Sequence, residues 1–327
     1  MLRRTRLFWM MACCALAVSA ARSQVDERRG TTAELGKHYT LGVAHKFDVV
    51  FKSAEYTLDR AIIADGYELL AKADKRVLLH FSVQNAMPSE EWFSSDAVPM
   101  TVVDAEKANH EVRGFWWIEG KTDSGAMELK PAQRIEVCTF VDIPVEAEPA
   151  KLLVLPGGED EAPILRYPLT GKIKAYAAAV ADPADKTGAR PLDEIPAAKG
   201  QWAQVGVLDA QLVELANYDG KVPDEELEEG KHWMVATLGL RNLTNQAVDV
   251  YTDVVCAKLL LEDETDIGQT TQLMAKAAKA VQIQLKPKAE TTVRAIFAVG
   301  ADDKPVKLML FEGQENCRPV VIALATK

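Results

Sequence analysis

This chain is written twice, and that repeat constrains its fold more than any other feature. Pro149-Ala150-Lys151-Leu152-Leu153-Val154-Leu155 recurs as Pro305-Val306-Lys307-Leu308-Met309-Leu310-Phe311, at an offset of 156 residues. The same offset relates Leu129-Lys130-Pro131 to Leu285-Lys286-Pro287, Gly157 to Gly313 and Pro163 to Pro319. Farther upstream the offset is 157, and Val77, Leu79, Phe81, Val83 and Asn85 correspond to Met234, Ala236, Leu238, Leu240 and Asn242. A register held this long marks a duplicated unit and decides the architecture before any motif is weighed. The length of 327 residues agrees, since domains average ~150 residues.

Within each copy the apolar pattern has a period of two. Val77, Leu79, Phe81 and Val83 fall on one side of an extended segment, while His80, Ser82 and Gln84 fall on the other. Ile135, Val137, Thr139 and Val141 repeat the pattern. Met100 to Val103, Leu152 to Leu155 and Ile164 to Tyr167 are short apolar runs bounded by turn residues. Short strands without helical periodicity predict an all-β chain of two tandem β-sandwich domains. The expected limits are 45–170 and 200–327, joined by a linker over 171–199 rich in Ala, Pro, Asp and Lys. Lys172 to Ala178 is expected to add a short extended piece to the first domain. Leu79, Phe81, Val83, Val137 and either Leu153 or Val154 are expected in one core, with their offset partners in the other. One segment conflicts: Thr271 to Lys279 is Ala- and Lys-rich and favours helix, whereas its counterpart Phe115-Trp116-Trp117-Ile118 favours strand.

The first two dozen residues read as a signal peptide, 1–24. Arg3, Arg4 and Arg6 precede the apolar run Leu7 to Val18, and Val18-Ser19-Ala20 supplies small residues for cleavage. Twelve apolar residues fall short of the ~20 that span a bilayer as helix, so no stable membrane span is expected. Removing residues 1–20 leaves 35 basic against 48 acidic residues. That excess opposes nucleic-acid binding, which needs a basic surface to neutralise phosphates. The mature chain keeps Cys138, Cys256 and Cys317. Each is expected to pack as a small apolar residue. A Cys256–Cys317 bridge stays open, because export permits disulfides and spacing does not prove one.

A family resemblance rests on Val83-Gln84-Asn85 and Leu240-Arg241-Asn242-Leu243-Thr244. In each copy a strand ends in Asn and is followed by a strand with an acidic turn, then by the Leu-x-Pro step. This resembles the immunoglobulin-like accessory domains of bacterial envelope lipoproteins and small secreted mycobacterial antigens, a family of largely unknown function. Phe140 to Pro144 resembles the family's aromatic-to-Val-Pro strand end, from which Val299-Gly300 of the second copy departs. The resemblance implies tandem immunoglobulin-like sandwiches outside the cytoplasm and carries over no catalytic residue. Read locally, the Asn bonds its own backbone at a strand end. Asn242-Leu243-Thr244 also fits a glycosylation sequon.

Motifs for chemistry are thin. Gly120-Lys121-Thr122 lacks the glycine spacing and leading strand of a phosphate loop. Asp123-Ser124-Gly125-Ala126 has no partner motif in the second copy, as a shared-proton carboxylate pair would need. His38, His45, His80, His110 and His232 show no metal-ligand spacing, and no Cys adjoins one. The acidic runs at 159–161, 224–229 and 262–266 lack the pattern of a calcium loop. No catalytic residue, metal or cofactor is therefore expected. The expectation is an exported, non-enzymatic protein of the periplasm or extracellular cell envelope that binds a protein or envelope component through loops or sheet edges. The alternative is a carbohydrate-binding module using Trp92, Phe93, Trp116 and Trp117, whose aromatic faces suit sugar rings. Of Trp116 and Trp117, adjacent on a strand, one should enter the core and the other face outward.

Overall fold

A computed structural model describes residues 29–63, 66–112, 117–119, 125–160, 162–223, 225–277, 279–313 and 316–324. Among these residues every regular element is a strand and no helix forms. The expected signal peptide and Trp116 lie outside the described residues, as do residues 120–124.

The first half is a β-sandwich. One sheet runs in the order Gly30–Thr32, Ile164–Pro168, Pro149–Val154, Met100–Asp104, Asn109–Glu111. The other runs Trp117–Ile118, Arg134–Pro144, Asp74–Asn85, Phe47–Thr57, Ile173–Lys174, with His38–Leu41 also paired to Phe47–Thr57. The two sheets share an apolar core: Phe51, Leu79, Phe81, Val83 and Val137 meet Val102, Leu152, Val154 and Tyr167. Phe81 is wholly buried and stacks on Phe51 at 4.8 Å between ring centres. Val154, not Leu153, faces this core; Leu153 packs with Val103, Leu155 and Ile164 in a separate cluster.

The second half repeats the plan. Its sheets run Ile195–Ala197, Val320–Ala323, Pro305–Phe311, Cys256–Leu261, Asp266–Gly268, and Ala203–Val205, Leu208–Asn217, Lys231–Arg241, Glu290–Gly300, Thr271–Met274. Its core gathers Leu212, Ala236, Leu238, Leu240, Val293, Leu308 and Leu310. In the central ladders the pairing register is the same. Phe81 faces Val137 as Leu238 faces Val293. Val102 faces Leu152 as Leu259 faces Leu308. Even a bulge is duplicated: the ladder slips between Phe51 and Ser53 in one half and between Leu212 and Glu214 in the other.

Local chemistry explains the shared motifs. Asn85 donates to the carbonyls of Ser89 and Leu129 at 2.7 and 2.8 Å, and its Oδ1 accepts from the Met87 amide at 2.7 Å. Asn242 does the same with Gln246, Leu285 and Thr244. Each Asn therefore ties a strand end to the Leu-x-Pro hairpin and is buried there. A buried, fully engaged Nδ2 also explains why the sequon at Asn242 is a structural motif. A Cβ at Gly157 would fall on the Asp96 carbonyl, and one at Gly313 on the Asp253 carbonyl, so both sites require the bare backbone.

Three expectations change. Thr271–Met274 is a strand, not the start of a helix. Its pairing to Glu290–Gly300 and the burial of Gln272 and Leu273 outweigh the helix propensity of the Ala and Lys that follow. No disulfide joins Cys256 to Cys317, both of which are thiols. Strands also occur outside the expected sandwich limits, at Gly30–Thr32, His38–Leu41 and Ile195–Ala197. The extended piece after Lys172 does form, as Ile173–Lys174 paired in parallel with Phe47–Thr57.

Candidate functional site

The strand Asp74–Asn85 turns Val77, Leu79, Phe81 and Val83 into the core, so Arg76, Leu78, His80 and Ser82 face outward. Antiparallel pairing sets Cys138 opposite His80, Phe140 opposite Leu78 and Asp142 opposite Arg76. Trp117 on the edge strand lies opposite Cys138, on the same outer face. From the other flank, Phe47–Thr57 contributes Lys52 at the bulge, and Glu55.

One end of this face is closed. Arg76 is buried and grips both oxygens of Asp142 at 2.7 Å, while donating to the carbonyls of Asp59 and Glu68. Its guanidinium stacks over Phe140 at 4.2 Å, and Phe140 meets Trp117 at 5.9 Å between ring centres. Trp117 is therefore a half-buried cover on its own sheet.

The other end holds a compact set of reactive side chains. His80 Nδ1 lies 3.4 Å from Cys138 Sγ and 3.2 Å from a Glu119 carboxylate oxygen. His80 Nε2 lies 3.5 Å from Glu55, which accepts from Lys174 at 2.9 Å. Lys52 bridges Glu119 and Glu136 at 3.6 and 3.1 Å. Burial pushes the Cys138 thiol up to about 12, and the Glu119 charge adds to that effect. The Lys174 ammonium holds Glu55 below the usual carboxylate range despite partial burial. No motif spacing marks this grouping, because His80 and Cys138 lie mid-strand on two different strands and Glu119 follows a third.

Among the described residues, the second half, on the same register, carries no comparable cluster. Its residues at the positions of His80, Cys138, Trp117 and Glu119 are Thr237, Arg294, Leu273 and Ala275. Val222, Val235, Leu273 and Ile296 form an apolar cluster on that face, with Tyr218 and Trp233 against it.

Of the aromatic group Trp92, Phe93, Trp116 and Trp117, Trp116 lies outside the described residues, and the buried Phe93 cannot join Trp92 in a platform. Phe93 is fully buried against Phe47, at 5.7 Å between ring centres, and offers no face to a ligand. Trp92, its neighbour on the strand Glu91–Phe93, points the opposite way and is 60% exposed. Trp92 corresponds to Asp249 and Phe93 to the buried Val250. Glu91 beside Trp92 holds His45 at 2.8 Å, and Glu159 accepts the amides of Val43, Ala44 and His45. Burial works against ionising Glu159, but those amides outweigh it and hold the carboxyl low. Glu159 thus shapes an end loop, where its sequence suggested only solvated charge.

A cleft of about 390 Å³ lies where the halves meet, lined by Tyr56, Tyr176, Trp202, Gln204 and Arg318. Arg60 pairs with Asp209 there, and Arg318 donates to the carbonyls of Ala71 and Lys72.

No family model matches the chain, and no curated protein matches it. Solved structures similar to it at low identity include two β-sandwich or secreted proteins. An uncharacterised β-sandwich protein from Clostridium difficile 630 is 9% identical, covering 43% of this chain and 97% of its own, with a TM-score of 0.32. A secreted protein from Mycobacterium tuberculosis, MPT63, is 12% identical, covering 42% of this chain and 97% of its own, also with a TM-score of 0.32.

Proposed function

We propose that the chain is an exported, non-catalytic binding protein of the cell envelope or periplasm, built from tandem immunoglobulin-like domains, and that the outer face of the first presents the ligand surface. The contrast between two faces on one register carries this reading. The frame accepts Thr237, Arg294, Leu273 and Ala275 in the second half, so it does not require His80, Cys138, Trp117 and Glu119 in the first. Side chains that a fold does not need, grouped on a rigid sheet, are the ordinary form of a grafted site. The basic-apolar-small start of the chain supports export. The partner is a protein or envelope component.

The exposed Trp92 favours a second reading as a carbohydrate-binding module, because a free indole face next to a fixed loop suits a sugar ring. The test replaces Trp117 and Trp92 by Ala separately and measures both thermal unfolding and binding to purified envelope material. The main reading expects Trp117→Ala to melt as a folded protein and bind poorly. Loss of binding only in Trp92→Ala, with a hit on a glycan array, supports the second. Unchanged binding in both variants refutes both.

A further inference from the structure

We propose that the first half binds one borderline-soft divalent ion of the zinc class through His80 Nδ1, the Cys138 thiolate and a carboxylate oxygen of Glu119. The inference deepens the reading of this face as the ligand surface and rests on it.

The two donor separations from His80 Nδ1 are close to those of a coordination shell. Zinc sits about 2.0–2.1 Å from nitrogen, 2.0–2.2 Å from carboxylate oxygen and 2.3 Å from sulfur, so the edges of its tetrahedron measure about 3.3–3.6 Å. The observed nitrogen–sulfur and nitrogen–oxygen separations are 3.4 and 3.2 Å. All three donor atoms lie within 4.8 Å of one another. Glu119, at the exposed end of the set, is the side chain able to move in to complete the shell. Thiolate, imidazole and carboxylate together suit zinc or cobalt, whereas calcium and magnesium take oxygen alone.

The surroundings fit as well. A metal-bound imidazole ordinarily gives its other ring N–H to a carboxylate, which fixes the ring and raises its donor strength. His80 Nε2 faces Glu55 at 3.5 Å, and Lys174 anchors that carboxylate. Lys52 steadies the second oxygen of Glu119. On binding, the Cys138 proton leaves to solvent and Sγ takes the metal bond. Cys138, Glu119, Glu136 and Glu55 then carry four negative charges, and Lys52 and Lys174 supply two positive ones; a divalent ion closes the difference. The site opens to solvent on the Glu119 side, whose side chain is 39% exposed against 13% for His80. Three protein ligands leave a fourth position for water or for a donor from a partner. At the corresponding positions the second half has Thr237, Arg294 and Ala275, which make no such set.

The test titrates the metal-stripped mature chain with cobalt(II), then displaces it with zinc. One equivalent should produce a thiolate-to-cobalt charge-transfer band that zinc removes. The band should survive Cys256→Ala with Cys317→Ala, and vanish in Cys138→Ser and in His80→Gln. Glu55→Gln should weaken binding ~10–100-fold, the usual effect of losing an outer partner of a metal-bound His. Glu119→Gln, at the exposed ligand, is the control where a core variant fails to fold, and should weaken binding at least tenfold. Absence of the band in the wild type, or a band unchanged in Glu119→Gln, overturns the proposal. Envelope binding that depends on Trp117 in a protein without the band refutes the metal site while leaving the binding reading intact.

Discussion

Replacing Asn85 or Asn242 by Ala removes the same piece of structure from each half. Asn85 makes three hydrogen bonds to backbone groups of Ser89, Met87 and Leu129. At a net ~0.5–1.5 kcal/mol each, and with a buried carbonyl losing its donor, the loss comes to about 2–4 kcal/mol. Asn242 makes the equivalent three bonds and also accepts the Thr244 hydroxyl at 2.7 Å. Met87 stands in place of Thr244 in the first half and has no hydroxyl. Asn242→Ala should therefore cost as much as Asn85→Ala or up to ~1.5 kcal/mol more. Urea unfolding followed by circular dichroism gives the magnitudes, and amide hydrogen exchange assigns each loss to a half. A cost below ~0.5 kcal/mol for either variant would be too small for a buried three-bond anchor, and would refute the reasoning. So would exchange data in which Asn85→Ala loosens residues 203–324 and spares residues 47–168.

Further outcomes follow from the same structure. Mass spectrometry of the native protein should find the N-terminus removed near Ala20 to Gln24; an intact 1–18 segment would contradict export by this signal. Phe81→Ala should cost ~3–5 kcal/mol in a denaturant melt, because the ring is wholly buried and stacked on Phe51. Between the halves, the hydroxyl and amide of Thr187, with the amides of Arg190 and Ala189, hold Asp185 down to about 2 against a usual 3.8. The folded value is the lower one, so this contribution is present above the unfolded value and is lost as pH falls through about 2. The melting temperature of the wild type should therefore drop more between pH 4 and pH 2 than that of Asp185→Asn, and identical profiles would contradict the assignment.

The strands that alternate cleanly were legible. Leu79, Phe81, Val83 and Val137 show their buried side by spacing alone, and the offset of 156 to 157 predicts that their partners do the same. Phe47–Thr57 and Leu208–Asn217 escaped that comparison. Phe51 and Leu212 stand 161 residues apart, and the bulge at Lys52 and Val213 breaks the alternation in both. Gly30–Thr32 and Ile195–Ala197 are short edge strands that gain their form from a parallel neighbour, which leaves no pattern to read. The His80 cluster was hidden for a related reason. Alternation assigns His80 and Cys138 to outward faces, but only the strand register says that they sit opposite each other. Phe93 and Trp92, adjacent in sequence, divide between core and surface because neighbours on a strand face opposite ways.

The central claim is that the first half's outer face, unlike the same face of the second, serves binding and not the fold. A graft tests it most directly. His80→Thr, Trp117→Leu and Glu119→Ala together give the first half the residues that Thr237, Leu273 and Ala275 provide in the second. Binding of this variant to purified envelope material is measured beside its urea unfolding curve. The account predicts cooperative unfolding of an intact sandwich and at least a tenfold loss of binding. A folded graft that binds like the wild type would contradict it.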